Sequence, residues 1–519
     1  MKKALLQAVA LVLVLVLPSP ADSVDRGSGF LPSEEETGSI LARPCVQDPA
    51  ASALPGPFPF PPPAARRDSS QTWTYIFYDD ADFANGYDPL ADFAYEAYSA
   101  ENLNVVVLQD TYTNPARVWY VDSNHQTVLL EEWGEVNMGD DSTLGSIINY
   151  AKTNYPADRY LLAVYDHGGG WRGACIDETN GGWLQMNEFQ LALEATGGVD
   201  IICFTAPCLM GALESAYELR GLADVYIGSE ELSGFAYWWG AIGPVCDLLC
   251  ASEHLTTSEV AEGIIQAVDD ADEYPDRAQL TMSATRTEDL TILAQAISAV
   301  ATYAAHNMLA LGANLTEARD AAWAFGGASA DIYGEIDLAD FIELYSSIET
   351  DPVILDRLQL VEDAFSQAII AECHGRGQTR SHGLSIYFPI DEATYQSSYE
   401  LVYLDFADDT TWSNFLAAYY AYAPSHVSSD PSKPNLSFAL GPNPFRHETH
   451  LRCTAAWGGE ATLRILDPTG RPIRTLLGRS DAITWDGRDN RGHAVASGVY
   501  LYMLEAGGLS HRGRVHLVR

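Results

Sequence analysis

The run from Tyr160 to Gly173 reads "YLLAVYDHGGGWRG". Its first residues are almost wholly apolar, the texture of a strand buried on both faces. A histidine and three glycines follow at once. Glycine costs backbone entropy, and a simple turn needs only one or two, so three in a row ask for a reason. A strand end places the His167 imidazole at the rim of a sheet, where a substrate can reach it. The glycines after it let backbone N–H groups approach a substrate carbonyl with no Cβ in the way. This is the pattern of a general base beside an oxyanion donor. By itself the pattern is weak, because a lone turn histidine beside glycines looks the same. Asp166 and His167 are neighbours in an extended strand and point to opposite faces, so Asp166 is not the expected partner of the imidazole.

Similar apolar runs recur along the chain: "TYIFY", "NVVVLQD", "VDIICFT", "DVYIGSE", "QLTMSAT" and "GLSIYFP". Helical patterns lie between most of them. "STLGSIINYAKTNY" opens on Ser142 as its expected cap, and "LMGALESAYELRGLA" carries apolar residues three and four apart. Strands alternating with helices predict an α/β fold, a parallel sheet with helices on both faces. Such sheets carry functional groups at the carboxyl ends of their strands. His167 stands at one such end. Cys208, in "ICFTAPCLMG", stands just beyond another, 41 residues later. That spacing allows adjacent parallel strands with both side chains at one rim. Cys208 also opens a helical pattern, and a helix N-terminus favours thiolate over thiol. A thiolate within reach of an imidazole is an activated nucleophile.

The whole chain has 519 residues, 47% of them hydrophobic, enough for a large core. Its 71 acidic and 29 basic residues leave a net charge of −42. That field repels nucleic acid and anionic membranes and excludes them as expected partners. The first residues, "MKKALLQAVALVLVLVLPSPADS", have the layout of a secretory signal peptide, with cleavage expected near Ala21. The apolar run is shorter than a membrane span needs. Residues 22–71 are proline-rich and aperiodic, a linker or pro-segment, with a dibasic Arg66–Arg67 as a candidate processing site. Residues 72–422 hold the α/β pattern. Residues 423–435 form a polar linker, and 436–519 read as short strands divided by turns, a small β-sandwich. Eight cysteines are too sparse for a disulfide framework, and no CxxC or HxxxH pair points to structural zinc. Cys246 and Cys250 fall one turn apart if helical. Cys175 and Cys203 read as structural.

The segments "GEVNMGDDSTLGSIINYAKTNYPADRYLLAVYDHGGGWRG", "CLMGALESAYELRGLADVYIGSEE" and "SHGLSIYFP" resemble the clostripain family of cysteine peptidases. The resemblance spans about residues 72–422 and is strongest across Gly134–Glu231. It implies a caspase-like α/β/α sandwich with a mostly parallel sheet and a secreted endopeptidase acting on peptides or proteins. By it His167 is the catalytic histidine and Cys208 the nucleophile. The backbone N–H groups of Gly168 and Cys208 form the oxyanion hole. The family cleaves after arginine or lysine, is often made as a zymogen, and in some members depends on calcium. Where the family reads "FDACLM" this chain reads "FTAPCLM". Ala206, or Thr205 if one residue is inserted, replaces the aspartate that helps bind the basic side chain. Glu230 or Glu231 is the candidate substitute, and arginine preference is expected to be weakened. A buried cation without a carboxylate is costly.

The stretches "NPFRHETHLR", "TLRILDPTGRPIRTLL" and "ITWDGRDNRGHAVASGVYLYMLEAGG", within Leu440–Arg519, resemble the immunoglobulin-like domain first described in the flagellar hook-capping protein, which implies a role in sorting or surface attachment, or a plain spacer. The acidic run Asp79–Asp88 suits calcium in donor type but lacks EF-hand spacing, and helix capping is the commoner use of such residues. No metal ligand is assigned and no cofactor is required. The altered nucleophile segment leaves open a catalytically inactive, peptide-binding relative. An esterase using HGGG ranks lower, since no G-x-S-x-G elbow is present.

Overall fold

A computed structural model describes residues 73–82, 88–233, 236–271, 277–400 and 404–422, with parts of 438–517. The expected leader, the proline-rich segment and the 423–435 linker lie outside the described residues. Two compact units meet in the chain at Tyr419/Tyr420.

The first unit is built on a nine-stranded sheet. In chain order its first strands are β1 (Trp73–Ala81), β2 (Leu103–Thr111), β3 (Asn114–Val121), β4 (Thr127–Gly134) and β5 (Arg159–Tyr165). A separate hairpin follows, β6 (Ala174–Asp177) and β7 (Gly182–Leu184). The sheet resumes with β8 (Val199–Phe204), β9 (Ala223–Gly228) and β10 (Thr281–Arg286). A short β11 (Glu335–Asp337) precedes β12 (Ile369–His374), the edge strand. The order is β12-β10-β9-β8-β5-β1-β2-β3-β4. Its centre, from β9 to β2, is parallel, and antiparallel strands extend it on both sides.

Alternate residues of the central strands serve opposite faces, as strand geometry requires. Trp73, Tyr75 and Phe77 join a core with Ile201, Cys203 and the helices Leu90–Glu96, Ile242–Ala251 and Thr257–Asp270. On the other face Tyr78 donates to the Met138 carbonyl at 2.6 Å, and Phe189 of helix Met186–Thr196 meets Phe204 edge-on. Each such buried aromatic or leucine contributes roughly 1.5–3 kcal/mol.

Three readings of the sequence are corrected here. "GLSIYFP" does not join the large sheet. The free side of β10 is taken by β12, and strand β13 (Ser385–Tyr387) pairs instead with β11. The helix expected from Ser142 is capped by Asp140, whose carboxylate accepts from the Ser142 N–H. The helix expected from Leu209 begins only at Leu213 and ends at Glu218.

The second unit contains a four-stranded sheet of Pro472–Arg479, Glu460–Leu466, Gly498–Ala506 and Leu509–Leu517. A three-stranded sheet joins Phe438–Gly441, Thr449–Cys453 and Ile483–Trp485. Leu463, Ile465, Trp485, Tyr500 and Val515 share one apolar core between them.

Candidate active site

Strands β5 and β8 are parallel neighbours, with Val164 opposite Phe204. Both chains therefore leave the sheet at the same rim, His167 three residues on and Cys208 four. Thr205 ties the two exits together. Its N–H and its hydroxyl both donate to the Val164 carbonyl, at 3.0 and 2.8 Å. The next contact answers the question posed by the glycines. A Cβ added at Gly168 would lie 2.6 Å from the Pro207 Cβ, 2.7 Å from the Cys208 carbonyl oxygen and 2.9 Å from the Cys208 nitrogen. Only glycine lets the histidine loop sit on the cysteine turn. Gly170 has a second reason: its φ is +65°, a conformation that side chains disfavour.

The cysteine turn is sewn down on its far side. Leu209 donates to the Glu231 carbonyl, Gly211 to the Ser229 carbonyl, and the Gly211 carbonyl accepts from Ser385. Leu209 itself is held at φ +62°. A left-handed leucine costs about 1–2 kcal/mol and persists because these bonds over-determine it. Such strain beside a reactive group is a frequent mark of function.

Cys208 thus lies five residues before the helix Leu213–Glu218, not at its first turn. The expected activation by a helix N-terminus is corrected. The thiol is free, only 6% exposed, and within 3.8 Å of the Ser233 carbonyl. Leu209, Phe325 and Tyr333 pack around it, with Leu232 and Trp323 beside them. Burial pushes the thiol up to about 12; the contact with the Ser233 carbonyl opposes this, and the negative charges of Glu231 and Asp166 add smaller upward effects. Apart from the adjacent Leu209, these covering residues were not visible in the sequence, because they lie 24–125 positions from Cys208 and carry no motif.

His167 is half-buried, and its burial holds the imidazole below its ordinary value, against a weaker pull from Glu178. The Asp166 carboxylate accepts from the Ile176 N–H. Among the described residues neither the Gly168 N–H nor the Cys208 N–H donates a hydrogen bond within the protein. Two unclaimed donors in contacting loops suit a developing oxyanion.

The candidate specificity residues are placed differently from expectation. Thr205 is fully buried, and Ala206 belongs to the core on the face of Trp73. Neither presents a side chain to solvent. Glu230 accepts from Ser381 and from the Gly383 N–H. Glu231 accepts from the Leu232 and Gly326 N–H groups, both at 2.8 Å, and from Gln378 at 3.1 Å. Both glutamates are buried and hold loops around the cysteine turn.

Beside the histidine loop lies a row of carboxylates. Asp80 pairs with Asp110 across β1 and β2, and the β1–β5 register brings Asp166 to the same level. All three are buried, with at least one oxygen lacking a partner in the protein. Burial raises all three above the ordinary carboxylate range, Asp110 to about 8. Among the described residues no three acidic, histidine or cysteine side chains are arranged to hold a metal ion. In the acidic run, Gln109 bonds both Asp79 and Asp88, and Asp88 caps the helix at Leu90. These carboxylate oxygens accept from donors of the protein itself. Residues 83–87 of that run lie outside the described residues.

The profile of the clostripain family matches residues 82–419. Clostripain from Hathewaya histolytica is 39% identical over 101 residues, a match spanning 17% of this chain and 19% of that protein. An inactive zymogen C11 protease from Parabacteroides distasonis shares the fold, with a TM-score of 0.50 at 18% identity over 67% of this chain and 99% of that one. A secreted C11 cysteine protease from Bacteroides thetaiotaomicron, solved with an irreversible peptide inhibitor, aligns with a TM-score of 0.49 at 17% identity over 66% and 99%.

Proposed function

Because the chain belongs to the clostripain family and is a cysteine-type peptidase, we propose that Cys208 and His167 are its catalytic pair, acting through a thioester. The approach of Gly168 to the Pro207–Cys208 backbone carries this reading. Burial keeps the resting thiol protonated and the imidazole neutral. The sulfur therefore attacks the scissile carbonyl as its proton passes to His167. The oxyanion takes the N–H groups of Gly168 and Cys208. His167 returns the proton to the leaving amine, the C–N bond breaks and the acyl group remains on sulfur. Water then gives a proton to His167 and attacks the thioester. The C–S bond breaks, and the thiolate recovers that proton. Ser233, Phe325 and Tyr333 form a wall against the sulfur that a substrate passes to reach it.

Cys208→Ala should abolish peptide hydrolysis while the protein stays folded. Hydrolysis at the wild-type rate would refute the pair. The binding-only reading is separated by a thiol-reactive peptidyl probe, which labels Cys208 in an enzyme and is competed by peptide. With Ala206 and Thr205 both uncharged, cleavage after arginine or lysine should be weaker than in the family. A fluorogenic library varied before the cut measures this, and a sharp arginine preference would contradict it. The signal-peptide layout of the sequence at 1–21 supports export. Among the described residues no helix is long and apolar enough to cross a membrane. The second unit is a candidate immunoglobulin-like module for sorting or attachment.

A further inference from the structure

We propose that Arg172 is a positioning residue for the reaction, holding the glycine turn so that the Gly168 N–H faces the oxyanion; this rests on the assignment of Gly168 and Cys208 above. A turn of three glycines has no side chains with which to fix itself, yet an oxyanion donor works only if it is oriented before the charge develops. Four backbone bonds close the turn on itself: Gly169 N–H to the Gly173 carbonyl, Arg172 N–H to the Gly169 carbonyl, Gly173 N–H to the Gly170 carbonyl and Cys175 N–H to the His167 carbonyl. A further bond comes from a side chain anchored well outside it. The Arg172 Nη1 donates to the Gly169 carbonyl at 2.9 Å. The same guanidinium donates through Nε to Gln396 at 2.9 Å and lies over the Trp171 ring at 4.2 Å.

Its remaining arm reaches toward the Tyr333 carbonyl at 3.5 Å, and Tyr333 is part of the wall over Cys208. Arg172 thus joins the histidine loop to that wall. It is buried, and it faces Glu335 and Glu214, each with one oxygen lacking a partner in the protein. Glu335 also borders the turn, since a Cβ at Gly170 would come within 3.2 Å of its Oε1. A planar fork with five donors spans three separated acceptors in a way that a lysine ammonium does not.

The experiment compares Arg172→Lys and Arg172→Gln in the full chain. The expected result for a folded variant is a kcat lower by about 10²-fold, the range seen on loss of an oxyanion donor, with KM little changed. Inhibition by a peptide aldehyde, whose hemithioacetal oxygen occupies the oxyanion site, should weaken by a similar factor. Alkylation of Cys208 by iodoacetamide, which needs no oxyanion hole, should not slow, and any loosening of the wall through Tyr333 would only speed it. Unchanged kcat and aldehyde affinity in a folded variant would overturn the proposal. So would unfolding of both variants, which would make Arg172 a core staple with no separable role. Retained activity in Cys208→Ala would instead refute the site itself.

Discussion

At the scale of single residues, the glycines after His167 do different work, and substitutions should separate them. Gly168→Ala places a methyl group against the Pro207–Cys208 backbone, at distances of 2.6–2.9 Å that neither loop can relieve by rotating a side chain. Overpacking of this kind costs about 1–3 kcal/mol. Its larger effect should fall on kcat, since the two oxyanion donors are pushed apart; a loss of at least ~10²-fold is expected in a fluorogenic peptide assay. Gly197→Ala is the control. Gly197 ends the helix Met186–Thr196 at φ 78° with nothing within 4 Å of an added Cβ. It should lower stability by about 1 kcal/mol and leave hydrolysis intact. The ionisation of the pair gives a second test. Burial raises the thiol to about 12 and lowers the imidazole from 6.5. The resting pair is then neutral, so alkylation of Cys208 should keep rising above pH 9. An ion pair would instead give a plateau near neutrality. Hydrolysis needs the unprotonated imidazole, so its acid limb should have a midpoint below 6.5.

At the scale of elements, the site is two strand exits and the clamps that hold their loops. Glu231 is the chief clamp on the covered side, accepting from Leu232, Gly326 and Gln378. Leu232 adjoins the Cys208 pocket, and Gly326 follows Phe325, which packs in it. Glu231→Ala should therefore loosen the wall. Alkylation of Cys208 at fixed pH should become several-fold faster, and thermal unfolding should shift down, because charge-assisted bonds contribute about 1.5–3 kcal/mol each. An unchanged alkylation rate would show that other contacts hold the wall. Much of this level was legible beforehand. The apolar runs ending at Asp166 and Thr205 marked two buried strands, and their spacing allowed the neighbouring β5 and β8. What escaped was non-local. The helix expected at Cys208 rested on periodicity alone, and the bonds of Leu209 and Gly211 to Glu231, Ser229 and Ser385 override it. Strand β13 read as a member of the main sheet because a buried strand looks alike in any sheet. Strand β12 directly continues the helix Pro352–Ala368, so no turn residue marked its start. The acidic residues near Cys208 were legible as charge, but their use as clamps was not, since a carboxylate's partners are set by folding.

At the scale of the whole molecule, a chain of net charge −42 also keeps a row of carboxylates inside, and this fixes how its stability should depend on pH. Asp110 is the member with a defined shift. Burial, then the charges of Glu135, Asp177 and Asp82, raise it from 3.8 to about 8 in the folded chain, against a small opposing effect of its bond from Thr111. Unfolding returns it to the ordinary value. Below the unfolded value both states carry the proton, and the group has no pH-dependent effect. Between the two values the folded chain holds a proton that the unfolded chain has released, so stability falls as pH rises through that window. The loss is complete once pH passes the folded value. Asp80 and Asp166 shift in the same direction. Surface repulsion acts in the same sense, but added salt screens it beyond a Debye length of about 10 Å at 0.1 M, and a buried carboxylate is screened far less. Asp110→Asn keeps an oxygen for the Thr111 N–H, which now bonds Oδ1 at 3.0 Å, and removes the ionisation. The variant should melt close to the wild type at pH 4 and above it at pH 9, and the gap at pH 9 should survive 0.5 M salt (a Debye length of about 4 Å). A gap that vanishes in salt would locate the pH dependence on the surface, and a variant that melts lower at pH 9 would mean that Asp110 is ionised and compensated in the folded chain.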